Sequence, residues 1–295
     1  MDKISIVVPV YNCEKFIGEC LDSIKQQTIS NFEVVLIDDC STDKTPDILK
    51  AFAKEDSRFV YIKNETNLQI SACRNKGISS AKGDYVFFVD ADDVLEINCL
   101  EKLYAALKEN DADVSICGFE MFENEIAKST SADIKIFSNS ELMKEIAICD
   151  KIQNFAWGKL FKKNLFDGVV FPEGRIYEDV YVIPLVLSKA NKMVFLEEKL
   201  YFYRQNTSSL SKTLNLKKIQ DFFFSMEQKA NLYIEKYPDY LYYLSQSFFD
   251  LFYLLKEHKI KKAKIENYRN AKCVYRKMVA KAPFKQKLKY LVAVI

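Results

Sequence analysis

Glycine and proline are scarce in this sequence, at 7 and 6 of 295 residues, which excludes a long disordered linker or a low-complexity tract. Histidine is scarcer still. The single one, His258, sits among Lys256, Glu257 and Lys259, and no Ser-His-Asp arrangement can be built around it. No run of 18 apolar residues exists, so a transmembrane helix is not expected. A GxxxxGK[ST] phosphate loop and a GxGxxG fingerprint are both missing, which argues against ATPase and dehydrogenase readings. Eight cysteines are present (13, 20, 40, 73, 99, 117, 149 and 273), but none forms a CxxC pair and no cysteine metal cluster is expected. Reduced, mostly buried thiols in a cytosol are the simplest account. The first apolar run, from Ile4 to Val10, is short and reads at once as a strand, so a secretion signal is not expected.

What is present is half apolar, 49%, and rich in aromatics, with 22 Phe and 17 Tyr. That suffices for one large core or two unequal domains. The net charge of +2 hides an asymmetry. From Lys256 to Ile295 there are thirteen Lys/Arg against two Glu, while the preceding residues carry thirty basic and thirty-nine acidic side chains. A basic segment of this kind is either a solvated helix face or a surface that meets anions.

The first 120 residues alternate short apolar runs with helical stripes. Strands are predicted over 4–8, 32–37, 59–62, 85–89 and 114–119, and helices over 16–27, 45–54, 71–80 and 99–109. Strict alternation predicts an α/β layered domain with a mostly parallel sheet flanked by helices. Residues 120–152 carry a weaker, more polar pattern, and 157–161 and 171–179 read as loop or short helix. A helix over 178–190 and extended strands over 192–203 follow, then Phe-, Tyr- and Lys-rich helices from 216. The expected organisation is one domain over 1–210, with halves 1–118 and 119–210, and a helical basic region over 211–295.

In such sheets ligands bind beyond the carboxyl ends of the strands. The polar residues gather there: Tyr11 and Asn12 after the first strand, Asp38 and Asp39 after the second, Asp90 to Asp93 after the fourth. Carboxylates at the tip of a buried strand are costly unless paired, and Mg²⁺ or Mn²⁺ pairs them through oxygen ligands shared with substrate phosphates. Asp39 can accept from a base N–H or a ribose hydroxyl. The plainer reading of Asp38 to Asp43 is a cap cluster before the next helix, and of Asp93 a cap as well. Glu178-Asp179 reads on its own as an acidic first turn favoured by the helix dipole.

Val8-Pro9-Val10-Tyr11-Asn12, Ser71-Ala72-Cys73-Arg74-Asn75-Lys76-Gly77-Ile78, Ala81-Lys82-Gly83-Asp84 and Asp90-Ala91-Asp92-Asp93, with the Asp38-to-Asp43 run between them, together resemble the family 2 glycosyltransferases of GT-A fold. The likeness continues more loosely through Trp157-Gly158-Lys159-Leu160-Phe161, Glu178-Asp179 and Tyr201-Phe202-Tyr203-Arg204, which look like bacterial enzymes building surface glycans. The resemblance implies a GT-A (Rossmann-like) domain and a UDP-sugar donor. Pro9, Val10 and Tyr11 would hold uracil and ribose, Asp39 would accept from either, and Arg74 would reach toward the nucleotide. Asp90, with Ala91 beside it, would contact the ribose, and Asp92 would bind Mn²⁺ or Mg²⁺. Asp179 would be the catalytic base with Glu178 beside it, Trp157 and Lys159 would border the acceptor, and Arg204 would contact diphosphate or acceptor. Two positions depart from the pattern. Cys40 stands where the family usually has Gly, and Leu68-Gln69 replaces a usual Gly after Asn67. Both raise a question of loop conformation.

The implied reaction is inverting transfer of a sugar to a hydroxyl of a glycan or lipid-linked acceptor in bacterial surface polysaccharide synthesis. A positioned carboxylate takes the acceptor proton, which is typically worth about 10²–10⁴-fold. Two rivals stand: an inactive sugar-nucleotide-binding partner subunit, and a nucleotidyltransferase, which would want a Gly-rich phosphate loop that 8–12 does not offer. In the basic region, Lys261-Lys262-Ala263-Lys264, Tyr275-Arg276-Lys277-Met278-Val279 and Lys285-Gln286-Lys287-Leu288-Lys289 interleave lysine with apolar residues. They predict a cytoplasmic protein in peripheral contact with anionic lipid at the inner face of the cell membrane. No nucleic-acid motif accompanies the charge, and nucleic acid is not an expected partner.

Overall fold

The computed structural model describes residues 2–123, 133–149, 151–205, 216–244 and 268–281. They form two compact units. The first comprises the described residues of Met1–Asn139, Phe155–Gly174 and Lys189–Ser209, and the second those of Ser140–Asn154, Arg175–Ser188 and the chain after 215. The contiguous division expected at 210 is not this grouping: 140–154 and 175–188 group with the C-terminal helices. Their apolar side chains, including Leu142, Met143, Ile146, Val182 and Ile183, are fully buried there.

The first unit is an α/β sheet with helical layers. In chain order it contains β1 (Ile4–Val10), α1 (Ile17–Lys25), β2 (Phe32–Asp38), α2 (Thr45–Glu55), β3 (Phe59–Lys63), α3 (Gln69–Ser80), β4 (Tyr85–Phe88), β5 (Val94–Leu95) and α4 (Cys99–Glu109). There follow β6 (Val114–Phe122), β7 (Ile134–Ser138), β8 (Lys159–Lys162) and β9 (Lys192–Arg204). The sheet order is β3-β2-β1-β4-β8-β6-β9-β5, with β7 also on β9. Strands β3, β2, β1 and β4 run parallel, as do β6 and β9, and β8 lies antiparallel between β4 and β6.

β1 and β2 are apolar on both faces because both faces are covered. Ile4, Ile6, Val8, Phe32, Val34 and Leu36 share a core with Ile17, Cys20, Leu21 and Ile24 of α1 and with Leu49 of α2. On the opposite face Val35 and Ile37 pack on Cys73 of α3. The approach of α3 is close enough to require glycine: a Cβ on Gly77 would lie 2.2 Å from Val7 Cγ1. Asp113 locks the start of β6, accepting from Lys162 Nζ of β8 at 2.8 Å and from the Asn191 amide before β9 at 2.7 Å.

Two sequence-based expectations change here. The segment 157–161, expected as loop or short helix, contributes β8, whose four residues are too few to show a period. Its ladders to β4 and β6 make it a strand. The weak stretch 120–152 contains the exposed edge strand β7 and the helix α5 (Asn139–Ile148) of the second unit.

In the second unit α5, α6 (Glu178–Leu187), α7 (Leu216–Lys236) and α8 (Tyr268–Lys281) are the main elements. Val274, Tyr275, Met278 and Val279 of α8 are buried, while Arg276 and Lys277 are exposed. The apolar side of this helix is therefore used within the unit and is not presented to a lipid surface. His258 and the clusters at 261–264 and 285–289 lie outside the described residues.

Candidate active site

Because β2, β1 and β4 are adjacent and parallel, the residues that follow them meet at one edge of the sheet. Tyr11, just past β1, is 48% exposed although Val10 before it is buried. Pro9 and Val10 still belong to the ladder, opposite Ile37 and Asp38. The loops after β1 and β2 are laced together. The Asn12 amide donates to Ser41 Oγ at 3.0 Å, the Thr42 amide to Asn12 Oδ1 at 2.8 Å, and the Cys13 amide to Thr45 Oγ1 at 2.9 Å. Asp43 accepts from the Thr45 amide at 3.0 Å, one position before the capping residue Lys44, whose own side chain makes no capping bond, whereas Ser41 is spent on Asn12.

Asp38 and Asp39 are both buried. Asp38 accepts from the Ser41 amide at 2.9 Å and from Tyr61 Oη at 2.8 Å. Asp39 accepts at Oδ1 from Asn64 Nδ2 and the Leu68 amide, and at Oδ2 from the Gln69 amide, each at 2.8 Å. A carboxylate on the first amides of a helix satisfies donors that otherwise lack partners and suits the dipole. Asp39 therefore ties β2 to the start of α3, the helix that carries Arg74. The two positions where the resemblance called for glycine explain themselves: Cys40 has φ 63° and Gln69 φ 69°, both in the left-handed region. The backbone glycine would favour is kept although glycine is gone.

Arg74 is 3% exposed and its Nη2 lies 3.3 Å from Asp90 Oδ1. Its guanidinium rests over Phe171 at 5.5 Å and Phe88 at 6.0 Å, so its direction is held by rings as well as by charge. Asp90 and Asp92 are partly exposed, and Ala91 between them is buried. Asp93 is not a helix cap. It is fully buried, accepting from Tyr201 Oη at 2.6 Å and from the Arg204 amide at 2.9 Å. Burial, and then the neighbouring Asp90 and Asp92, push its carboxyl well above the usual carboxylate range. Tyr201 Oη also accepts from the Asp90 amide at 3.2 Å, and burial raises the phenol well above its ordinary value.

Arg204 clamps the same loop. Its Nε donates to the Asp92 carbonyl at 2.8 Å, its Nη2 to Glu19 Oε2 at 2.5 Å, and its plane lies over Phe122 at 4.5 Å and Phe16 at 5.2 Å. Trp157 is 5% exposed, stacked on Tyr201 and on Phe155, each at 4.4 Å, with Tyr203 parallel at 5.5 Å. Lys159 is buried too, its Nζ donating to the Phe155 carbonyl at 2.7 Å. These two form the packing behind the partly buried Phe155 and Tyr203.

Glu178 and Asp179 belong to the second unit, in the first turn of α6. Glu178 is buried, and Asp179 Oδ1 accepts from the Val180 amide at 2.8 Å. Lys229 of α7 is buried in the same unit, donating to the Ile146 carbonyl at 2.9 Å and to Asn154 Oδ1 at 3.0 Å. Burial pushes it down to about 8, against the opposing pull of Cys149 and Asp179.

The structure thus gathers Pro9, Val10, Tyr11, Asp39, Arg74, Asp90, Ala91, Asp92, Trp157, Lys159 and Arg204 in the first unit, and places Glu178 and Asp179 in the second. Tyr201, Asp93, Asn64 and Tyr61 play parts that no local sequence pattern announces. For Tyr201 the one signal is its place in the Tyr201-Phe202-Tyr203-Arg204 block.

Among the described residues no group of three or more His, Cys, Asp or Glu could hold a metal ion. The partly exposed pair Asp90 and Asp92 nevertheless suits a hard cation that completes its shell with phosphate oxygens and water.

The model of the glycosyl transferase family 2 matches residues 5–165. Glycosyltransferase GlyA of Streptococcus pneumoniae serotype 4 is 34% identical over 78% of this chain, and the match spans 34% of GlyA's own length. Glycosyltransferase GlyG of the same organism is 36% identical over 71% of this chain and 73% of GlyG. Among solved structures, residues 1–349 of S. aureus TarS in complex with UDP share the fold, with a TM-score of 0.77 at 21% identity, over 99% of this chain and 86% of that one.

Proposed function

The chain belongs to glycosyl transferase family 2, and from that premise we propose that it transfers a sugar, with inversion, from a UDP-sugar to a hydroxyl of a glycan or lipid-linked acceptor of a bacterial surface polysaccharide. One observation carries the donor side. An exposed aromatic, Tyr11, and the partly exposed Asp90 and Asp92 stand at the ends of adjacent strands, with the buried Arg74 guanidinium on Asp90. A ring, a cation and partly exposed carboxylates are the groups a nucleoside diphosphate engages. The UDP complex of the like-folded TarS agrees with that choice of nucleotide.

Tyr11 stacks on the base beside the backbone of Pro9 and Val10. Asp39 accepts from base or ribose and sets where α3, and so Arg74, stands. Asp90 takes the ribose. Asp92, with Asp90 near it, would hold Mn²⁺ or Mg²⁺, which when bound supplies positive charge to the diphosphate leaving group. Asp179 draws the proton from the acceptor hydroxyl as its oxygen attacks the anomeric carbon, and the carbon–diphosphate bond breaks on the opposite face. Glu178 stands on the acceptor side with Asp179. Trp157 and Lys159 support the aromatic wall beside the acceptor, and Arg204 fixes the carbonyl of Asp92 and thereby the carboxylate pair.

The exposed Arg276 and Lys277 supply charge for peripheral contact with anionic lipid. Sedimentation with vesicles containing phosphatidylglycerol checks this, and protein remaining in the supernatant at low salt refutes it.

The test of function has two arms. A thermal-shift screen of UDP-sugars with Mn²⁺ present should single out the donor, because a ligand that binds only the native state raises stability by mass action. With that donor, Asp92→Asn and Asp179→Asn should each lower turnover by about 10²–10⁴-fold. Turnover that survives both changes refutes the site assignment.

A further inference from the structure

We propose that Asp221, on α7, is a positioning residue for the acidic pair Glu178-Asp179. The inference rests on the role of Asp179 proposed above.

Asp221 is 3% exposed. Its Oδ1 accepts from Arg175 Nη1 at 3.2 Å, and its Oδ2 from the Ile176 amide at 3.1 Å and from Lys217 Nζ at 2.6 Å. The carboxylate thus holds the side chain of one residue and the main chain of the next, two to four positions before the pair. The residue that follows, Tyr177, has φ 63°. A left-handed conformation in a ring-bearing residue costs of order 1–3 kcal/mol and persists only when its surroundings impose it. α7 imposes it from both sides. Arg175 lies over Phe224 at 3.9 Å, Tyr177 packs on Phe222 at 5.1 Å, and beyond the pair Tyr181 packs on Phe224 at 6.1 Å.

The start of α6 is therefore set by contacts with one helix further along the chain, Asp221 lying 45 residues beyond Ile176 and 46 beyond Arg175, and the ionic centre of those contacts is Asp221. Two cations compensate its buried charge, so the pairing supplies direction rather than net stability. A carboxylate that must meet a hydroxyl proton within hydrogen-bond reach is sensitive to placement: an error of about 1 Å costs on the order of 10²-fold. α7 thus acts on the proposed base through the residues it holds.

The experiment uses the full chain, the UDP-sugar that gives the largest thermal shift among UDP-glucose, UDP-galactose, UDP-GlcNAc and UDP-GalNAc, and water as acceptor, with UDP release as the readout. Asp221→Asn should lower kcat by 10-fold or more, with KM for the donor and calorimetric affinity for UDP within two-fold of the native chain. In an Asp179→Asn background the same change should have no further effect, since a residue acting through Asp179 loses its effect with it. If Asp221→Asn does not fold, Arg175→Gln is read by the same criteria, because it leaves Asp221 its partners Lys217 and Ile176. A native kcat, a fall in UDP affinity that matches the fall in rate, or an equal loss in the Asp179→Asn background overturns the inference. If Asp179→Asn itself leaves UDP release unchanged, the proposed function fails rather than the positioning role alone.

Discussion

The hydroxyl of Tyr201 donates to Oδ2 of Asp93 at 2.6 Å, across 108 residues of chain. The same oxygen accepts from the Asp90 amide, so one phenol on β9 holds both ends of the acidic loop. Tyr201→Phe removes donor and acceptor while keeping the ring stacked on Trp157. It leaves the buried Asp93 carboxyl short of a partner, and such a loss typically costs about 1–3 kcal/mol. Urea unfolding should show a lower midpoint at unchanged slope, and an unchanged midpoint counts against the role.

Cys40 and Gln69 hold left-handed backbones, at φ 63° and 69°. The conformation costs a non-glycine residue about 1–2 kcal/mol, part of which glycine returns through its freer unfolded chain. Cys40→Gly and Gln69→Gly should therefore each raise stability by roughly 0.5–1 kcal/mol. Asn12, at φ 49°, is the control, because asparagine tolerates this region and Asn12→Gly should gain less. Melting curves of the three variants decide the matter.

Tyr11 is nearly half exposed and packs little, so Tyr11→Ala should leave the melting temperature almost unchanged. Base–aromatic stacking is worth about 1–3 kcal/mol, so affinity for UDP should fall by roughly 5- to 100-fold. Calorimetry of the variant with UDP and Mn²⁺ measures this directly, and native affinity would remove Tyr11 from the site.

Glu33, on β2, is buried and accepts from Ser5 Oγ at 2.7 Å, the Lys82 amide at 2.6 Å and Lys3 Nζ at 3.0 Å. Burial opposes its charge, but these donors prevail and hold the carboxyl below its ordinary value. A folded-state value below the unfolded one means the stabilisation is complete above the unfolded value, near 4.3, and is lost as pH falls through the folded one. Between roughly pH 5 and 3 the native chain should lose stability more steeply than Glu33→Gln. Parallel curves would show that Glu33 is not linked to folding.

Much of the first unit was legible because its signals are local. The apolar runs of β1 and β2 end where the side chains turn polar, and of the stripe Phe16, Ile17, Cys20, Leu21, Ile24 all but the partly buried Phe16 are buried. Tyr11, Asp39 and Asp90 to Asp93 stand at strand ends because apolar runs stop there. β8 was not legible: four residues carry no period, and its strand character comes from two neighbours distant in sequence. Asp93 read as a cap because Asp near a helix commonly is one, and nothing local announces a partner at Tyr201.

The sequence by itself determined the run of parallel strands in the first half of the sheet, the polar residues that stand at or near their ends, and the family whose motif series they follow. Only the tertiary structure decided that Asp39 is engaged by the first amides of α3, that Arg204 clamps the Asp92 carbonyl, and that Glu178-Asp179 groups with α7 rather than with the sheet. The physical reason is range. Hydrophobic period and capping chemistry act within a few residues, whereas the partner of a buried carboxylate is selected by packing, which brings together groups tens to a hundred residues apart.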